Sequence, residues 1–260
     1  GIKPLPHLET KFVSANFLKK LRKPLEGLKN EQYPLSQTHE IKEIKEELKR
    51  LYKKYFSIKN RMEKKRIEDE VKTLKEKLRE LLKKKGWPNE EIEKIVSFDI
   101  FSQTTTADWF DPTWMFGVDD GFDIVIGNPP HGANMSSYIN KIISEYKYYD
   151  SRKNSASFFI EKANEFLKEG GICAYIVPKS LSYVKGWKKT REFIIDKNQL
   201  LIAIDISKSF ENVLLEQMVI FFKKTPSLSP KNYEIRIGYG WNKSINIIGN
   251  IEKSTIKQLD

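Results

Sequence analysis

Strand-length apolar runs alternate with helical patterns over the second half of the chain, and this alternation constrains the fold more than any other feature. Such runs fit strands buried in a sheet, and the helices between them cover its faces. The sequence therefore predicts an α/β domain with a mostly parallel sheet. The strand-like runs are Phe122–Gly127, Ile172–Pro178, Leu200–Ile206 and Gln217–Phe222, and the helical stretches are Ser155–Lys168 and Thr190–Lys197.

A different pattern occupies residues 38–82. Apolar residues there recur at alternating intervals of three and four as far as Met62, and again from Ile67 to Leu81 after a slip in phase. Lys and Glu fill most of the other positions, which is the pattern of a coiled-coil seam. We interpret it as an antiparallel helical hairpin that reverses within residues 57–65. One long helix with a stutter is the alternative.

Composition limits the function classes. The formal net charge of +11 favours a polyanionic partner such as nucleic acid. The single cysteine, Cys173, lies in an apolar run and is predicted to be a core residue, so we expect no disulfides and a cytoplasmic protein. One cysteine and three dispersed histidines predict no metal site. No apolar stretch is long enough to span a bilayer. Because the sequence starts at Gly1 rather than at Met, we expect it to be part of a longer polypeptide.

The most specific motif is Asn128-Pro129-Pro130-His131, which follows the run Phe122–Gly127. Ligands in open α/β sheets bind at the carboxyl ends of strands, where this motif lies. The exocyclic amine of adenine is a poor nucleophile, and two acceptors on its N–H bonds would direct its lone pair towards an electrophile. The Asn128 side chain and the Pro129 carbonyl are suited to this, and the His131 ring could stack on a flipped base. The alternative is a simple strand-terminating turn.

With these residues in place, the sequence resembles the gamma class of N6-adenine DNA methyltransferases, which carry Asn-Pro-Pro-Tyr after a similar strand. The resemblance implies a partial Rossmann-like, S-adenosylmethionine-dependent α/β methyltransferase domain with the helical (coiled-coil) hairpin inserted. It also implies DNA adenine-N6 methylation, the activity of class EC 2.1.1.72.

The resemblance carries over to individual residues. Ser14–Leu18 looks like the family segment that holds the cofactor's adenine, which assigns that role to Asn16 and Phe17. Asn154–Ala163 matches the helix whose aromatic, here Phe159, lines the cofactor pocket, and Pro130 is expected to line it too. Ile204–Phe210 resembles the segment that places a second aromatic, Phe210, with His131 against the flipped adenine.

Within the class, the run Ala107–Gly117 and the hairpin are most similar to type IIG restriction–modification enzymes and related phage-defence methyltransferases. We therefore predict four regions. They are residues 1–21, a strand and the cofactor-adenine segment; 22–98, the hairpin; 99–224, the catalytic core; and 225–260, a linker and the start of a following region.

Two departures from the family pattern affect these expectations. His131 replaces the usual Tyr or Phe, and normal, reduced and pH-dependent activity are all consistent with that change. The Gly-rich turn that holds the cofactor's methionine part does not precede Asn16 in this chain. We expect that turn further upstream in the polypeptide, a target-recognition domain downstream, and weak or no S-adenosylmethionine binding by this chain alone.

The expected partner is double-stranded DNA. Lys179, Lys185, Lys188 and Lys189 are candidates for phosphate contacts, against the alternative of an ordinary charged surface. Two rival functions stay open: methylation of RNA or of protein glutamine, and a non-catalytic binding or scaffolding piece of a split or degenerate methyltransferase.

Overall fold

The computed structural model describes residues 12–22, 24, 39–100, 102, 105–130, 136–149, 154–206, 216–226, 231–241 and 244–257. The chain divides into two compact units between Asp119 and Asp120. Among the described residues, no helix is long and apolar enough to cross a membrane.

The described residues of the first unit form a short two-stranded sheet and four helices. Strand β1 (Ser14–Ala15) pairs in parallel with β2 (Thr106–Ala107). The helices are α1 (His39–Ser57), α2 (Arg61–Lys84), α3 (Asn89–Ser97) and α4 (Pro112–Phe116). Asp111 caps α4 by accepting hydrogen bonds from the amides of Thr113 and Trp114 at 2.9 and 3.2 Å.

Helices α1 and α2 form the predicted antiparallel hairpin, and the single-helix alternative is wrong. The chain reverses at residues 58–60, where the Asn60 side chain accepts a hydrogen bond from the Met62 amide and caps α2. Beyond the turn, the Tyr55 hydroxyl donates to Glu68 at 2.9 Å. An Asn cap thus makes the turn without Gly or Pro. The apolar seam is buried at Ile41, Leu48, Leu51, Ile67, Val71 and Leu78.

Helix α3 is joined to the segment after β1 by a buried carboxylate. Glu91 is only 1% exposed, and its Oε1 accepts hydrogen bonds from Arg22 and Lys94, both at 2.9 Å. A buried charge needs such partners, because an unpaired carboxylate away from water is costly. The segment that ends in Arg22 is therefore held against α3.

The second unit is a six-stranded mixed sheet with helices, which confirms the α/β class. Its order is β3-β4-β6-β5-β7-β8. Two pairs are parallel (β3 with β4, β5 with β7) and three are antiparallel. The strands are β3 (Phe122–Gly127), β4 (Leu167–Pro178), β5 (Asn198–Asp205), β6 (Gln217–Lys224), β7 (Glu234–Trp241) and β8 (Ser244–Glu252).

The prediction of a mostly parallel sheet is wrong, because β6 lies antiparallel between β4 and β5. A fully buried strand has the same apolar run in either direction, so the sequence does not reveal its orientation. Within the predicted region 225–260, β7 and β8 extend this sheet through pairing of β7 with β5. The four predicted region boundaries themselves stay a prediction.

Helices accompany the sheet on its connections. They are α5 (Ser136–Ile142), α6 (Ser155–Phe166), α7 (Lys188–Glu192) and α8 (Lys253–Lys257), with a π-helical turn at Phe193–Lys197. Helix α6 packs Ala156, Ile160 and Ala163 into the core of the unit. Cys173 is buried in that core, as predicted, and burial raises the pKa of its thiol.

Two glycines allow β3 to pass close to the start of β4. Gly121 has φ +88°, and a Cβ there would lie within 3 Å of three backbone atoms at the α6–β4 junction. A Cβ on Gly171 would lie 2.9 Å from the carbonyl oxygens of Lys168 and Phe122. Only glycine fits this close backbone approach, which fixes where β3 begins.

Candidate active site

The Asn-Pro-Pro motif begins at the carboxyl end of β3, as the sequence predicts. Asn128 is exposed, Pro129 is buried and Pro130 is exposed. No described residue hydrogen-bonds the Asn128 side chain, so its amide is available to a ligand. Behind the motif, a Cβ on Gly127 would lie 3.2 Å from the buried ring of Tyr175 on β4. The end of β3 therefore packs directly against the Tyr175 ring.

The start of helix α6 holds the motif from its other end. The buried Ser155 hydroxyl donates a hydrogen bond to the Pro130 carbonyl. The neighbouring Asn154 side chain accepts from the Ala156 amide at 3.0 Å and caps the helix. No role was predicted for Ser155 from the sequence. Its position could have suggested one, because Ser155 carries a hydroxyl, follows the helix cap Asn154 and lies in a segment that resembles the family.

Helix α6 is in turn fixed to the segment before it. The Ser157 hydroxyl lies 2.8 Å from that of Thr190, which donates to the Tyr148 carbonyl at 2.9 Å. Glu161 accepts hydrogen bonds from the amides of Lys147 and Tyr148 at about 3.0 Å. These contacts make α6 a rigid support for the motif.

Phe159, the aromatic predicted to line the cofactor pocket, also lies on α6. Its ring is half-buried and packs against the core of the second unit. Phe159 and Ser155 are one helical turn apart on the same helix. The structure thus places one predicted cofactor residue on the element that holds Pro130.

Lys179 lies at the carboxyl edge of the sheet, directly after β4. Its Nζ is 2.9 Å from Asp205 at the end of β5 and 3.6 Å from Glu216 before β6. The hydrogen bond that Lys179 donates to Asp205 raises the pKa of Lys179, and Glu216 adds to the effect. The Lys179 side chain therefore joins the ends of three strands.

The predicted basic loop around Lys185 is well braced. The buried guanidinium of Arg191 donates to the carbonyls of Leu181 and Val184 at 3.1 and 2.7 Å. The indole N–H of buried Trp187 donates to Ser180 Oγ at 3.2 Å. The exposed residues of this loop include Tyr183, Lys185, Lys188 and Lys189. Lys189 also lies 5.9 Å from the centre of the Tyr149 ring.

In the first unit, Asn16 and Phe17 follow β1. The backbone N–H of Asn16 donates to the Ala107 carbonyl at 2.9 Å. The side-chain Oδ1 of Asn16 accepts a hydrogen bond from the backbone N–H of Leu18 at 3.3 Å. The half-buried Phe17 ring lies 5.5 Å from that of Phe110. The backbone of this segment is thus held by β2 and by its own turn.

Comparison with protein families decides the assignment. Residues 14–211, well over half of the chain, match the Eco57I restriction-modification methylase family. The chain belongs to this family. The predicted membership among restriction–modification methyltransferases is confirmed.

Individual relatives of this methylase-family chain cover only part of it. The type II restriction enzyme and methyltransferase RM.Eco57I of Escherichia coli is 29% identical over 132 residues, which cover 46% of this chain and 13% of the relative. The type II methyltransferase M.BstVI of Geobacillus stearothermophilus is 30% identical over 119 residues, covering 44% and 20%. The chain thus spans about an eighth and a fifth of the length of these two relatives.

Among solved structures, the methylase-family chain is similar to a putative class I S-adenosylmethionine-dependent methyltransferase from Listeria monocytogenes. The identity is 18% and the TM-score 0.41, over 58% of this chain and 45% of the other.

All predicted catalytic, base-binding and cofactor residues lie inside the range matched to the methylase family. The structure brings Asn128, Pro129, Pro130 and Phe159 into one unit and ties the motif to α6. Asn16 and Phe17 belong to the other unit. His131 and Phe210 lie outside the described residues, so their predicted roles stay predictions.

Proposed function

We propose that the chain carries the acceptor side of a site-specific DNA adenine-N6 methyltransferase, which transfers a methyl group from S-adenosylmethionine to a flipped adenine. The observation that carries the proposal is the exposed Asn128 amide at the carboxyl end of β3. Its side chain has no hydrogen-bond partner among the described residues, while the following Pro130 carbonyl is held by Ser155. In a restriction–modification methylase, such a group is suited to bind the base.

The chemistry follows from the two acceptors. The Asn128 side-chain oxygen and the Pro129 carbonyl accept hydrogen bonds from the two N–H groups of the adenine amine. The nitrogen then moves towards tetrahedral geometry, and its lone pair is directed out of the ring plane. With the methyl donor bound beside the base, the new nitrogen–carbon bond would form as the methyl–sulfur bond breaks. The neutral thioether would be the leaving group, and the nitrogen would then lose one proton to solvent. The protein contributes mainly position and electrostatics, so the rigidity of the motif determines the rate.

The methyl donor is S-adenosylmethionine, which supplies an activated methyl group when bound. The residues of the Asn16 turn fit its adenine: Oδ1 of Asn16 is engaged by Leu18, which leaves Nδ2 to donate to the base, and the Phe17 ring is partly exposed. In the second unit, Pro130 and Phe159 are the proposed cofactor-binding residues. No Gly-rich turn precedes Asn16 in this chain. We therefore expect weak or no binding by the chain alone, and calorimetry showing tight binding would contradict this.

Double-stranded DNA is the proposed substrate, bound with the help of a target-recognition region elsewhere in the polypeptide. The proposed phosphate contacts are Lys185, on the turn before α7, and Lys188 and Lys189, in the first turn of α7. All three are exposed on a segment that Arg191 holds in shape. Lys179 is the weaker candidate, since Asp205 and Glu216 already balance its charge.

The decisive experiment is Asn128→Ala in the full-length enzyme, assayed by transfer of labelled methyl groups to DNA. Methylation is expected to be abolished and DNA binding to be unchanged. Asn89→Ala, which removes an exposed asparagine from the helical unit, is the matched control and should be fully active. If Asn128→Ala still methylates DNA, the assignment of the motif is wrong.

The same assay separates the rival functions. DNA, RNA and glutamine-containing peptide are offered as acceptors, and the labelled product is identified by mass spectrometry. N6-methyladenine in DNA alone supports the proposal. Methylated RNA or glutamine, or no product from an enzyme that still binds DNA, would overturn it.

A further inference from the structure

A cavity in the first unit is lined, among the described residues, by four lysines and by no acidic residue. It lies among the hairpin helices, α3 and α4, and its volume is about 90 Å³. Lys45, Lys49 and Lys53 come from α1 and Lys75 from α2. We call it the lysine cavity. None of the 15 described residues that line it is Asp or Glu, although Lys and Glu are interleaved along most of the hairpin.

The sequence pattern of α1 contributes to this concentration of charge. Lys45, Lys49 and Lys53 are spaced by four, so they lie on the same face of the helix. Like charges at this spacing repel each other and disfavour the helix. A negatively charged group between the hairpin helices would relieve this repulsion.

Two of the four lysine ammonium groups donate hydrogen bonds to neutral backbone carbonyls. The half-buried Lys75 donates to the Phe98 carbonyl, and Lys49 donates to the Gly117 carbonyl at 3.4 Å. A carbonyl uses one of the three N–H donors of an ammonium and does not balance its charge. Burial lowers the pKa of Lys75 by more than nearby Asp99 raises it, because partial removal from water destabilises the charged ammonium group.

The Lys45 side chain is only 11% exposed. Its Nζ lies 4.2 Å from the centre of the Trp114 ring and 3.9 Å from an Asp119 oxygen, which is at the outer limit of an ion pair. Asp119 does not line the cavity. Among the described residues that line the lysine cavity, four carry a positive charge and none carries a negative charge.

We propose that the lysine cavity binds a phosphate group. An engineered cavity of about 150 Å³ holds a benzene molecule, so this smaller cavity is suited to a compact anion rather than to an aromatic base. A phosphate offers several acceptor oxygens and up to two negative charges, which matches a cavity lined by four lysines better than a carboxylate does. The phosphate comes either from a DNA backbone or from a free phosphate or small phosphorylated molecule.

The first test uses inorganic phosphate as the probe, at constant ionic strength maintained with KCl. Hydrogen exchange of α1 and α2 is measured during the titration. We expect saturable protection of both helices, and binding at least tenfold weaker in Lys75→Met and Lys49→Met. The matched control is Lys72→Met, which removes an exposed lysine from the same helix and should leave binding unchanged.

The second test uses a short DNA duplex and identifies the source of the phosphate. If a phosphate of the DNA backbone enters the cavity, Lys75→Met weakens DNA binding. It also reduces by about one the slope of log binding constant against log salt concentration, while Lys72→Met changes neither quantity. Protection by inorganic phosphate without an effect on DNA binding indicates a free phosphate source. Lys49→Met is the second variant in case Lys75→Met does not fold.

Either positive result supports the site, and the proposal is overturned if neither appears. It is equally overturned if Lys72→Met causes the same loss as Lys75→Met, because the effect would then be one of net charge. No readout involves methylation, so this inference and the proposed methyl transfer succeed or fail independently.

Discussion

Replacing Gly121 by alanine tests whether the placement of β3, and with it the Asn-Pro-Pro motif, depends on close backbone contact. Gly121 has φ +88°, and an added Cβ would lie 2.7 Å from the Lys168 nitrogen, 2.8 Å from the Phe166 oxygen and 2.9 Å from the Leu167 carbonyl carbon. All three are backbone atoms, so no side chain can rotate to make room. Either β3 or the α6–β4 junction must move.

The magnitude follows from two contributions. A non-glycine residue at positive φ costs roughly 1–2 kcal/mol. Moving a packed backbone junction adds about 2 kcal/mol or more, which puts the total near 4 kcal/mol, among the larger effects of single substitutions. Gly170→Ala is the matched control. Gly170 also has positive φ (+79°), but its added Cβ would meet only the Cε of Lys223 at 3.7 Å. We expect only the first cost there.

The assay is hydrogen exchange of the β3 and β4 amides, measured by mass spectrometry. A difference of about 2 kcal/mol between the variants corresponds to roughly 30-fold more frequent local opening in Gly121→Ala than in Gly170→Ala. Equal exchange in the two variants would refute the steric reasoning. It would show that the positive φ alone accounts for the cost of replacing Gly121 by alanine.

Two further predictions concern the second unit. Ser155→Ala removes the hydrogen bond to Pro130, and we expect about a fivefold lower kcat in the full-length enzyme with KM for the methyl donor unchanged, since one net hydrogen bond is worth about 1 kcal/mol. Ser157→Ala on the same helix is the control, and an equal kcat loss there would point to a general effect on α6. Burial raises the pKa of the Cys173 thiol, so at pH 8 it should react with iodoacetamide only when the unit unfolds; rapid labelling of the native chain would contradict this.

The sequence predicts best the elements whose pattern has a single solution. Strand β3 is predicted at Phe122–Gly127 and observed at those residues, because a glycine precedes it and an Asn-Pro-Pro turn ends it. The hairpin reversal is predicted within residues 57–65 and occurs at 58–60, a few residues before the apolar seam slips in phase between Met62 and Ile67. In both cases local turn chemistry and apolar periodicity indicate the same boundary.

Strand direction could not be predicted in the same way. The run that becomes β6 is apolar on both faces, and its antiparallel position between β4 and β5 depends on pairing with strands distant in sequence. Residues of β7 were assigned to a following region for the same reason, since their pairing with β5 is formed only in the folded chain. Non-local pairing carries this information, and periodicity does not.

The candidate site shows the same division. Asn128 and its position after β3 follow from the motif itself. Ser155 does not, because its hydroxyl meets the Pro130 carbonyl across 25 residues of sequence. Lys179 was predicted from composition as a phosphate contact, whereas the fold brings Asp205 and Glu216 to its ammonium group. Composition identifies a charge, but only the tertiary structure determines which charge lies beside it.

The rigidity of the motif has two independent sources, and this bears on how the acceptor side works. Gly127 lets the end of β3 rest on the Tyr175 ring, while Ser155 fixes the Pro130 carbonyl from the start of α6. Asn128 lies between these two anchors with its amide exposed. Catalysis by positioning requires acceptors that do not reorganise when the base arrives. Loosening either anchor should therefore lower the rate of methyl transfer while leaving every group that touches the adenine in the sequence.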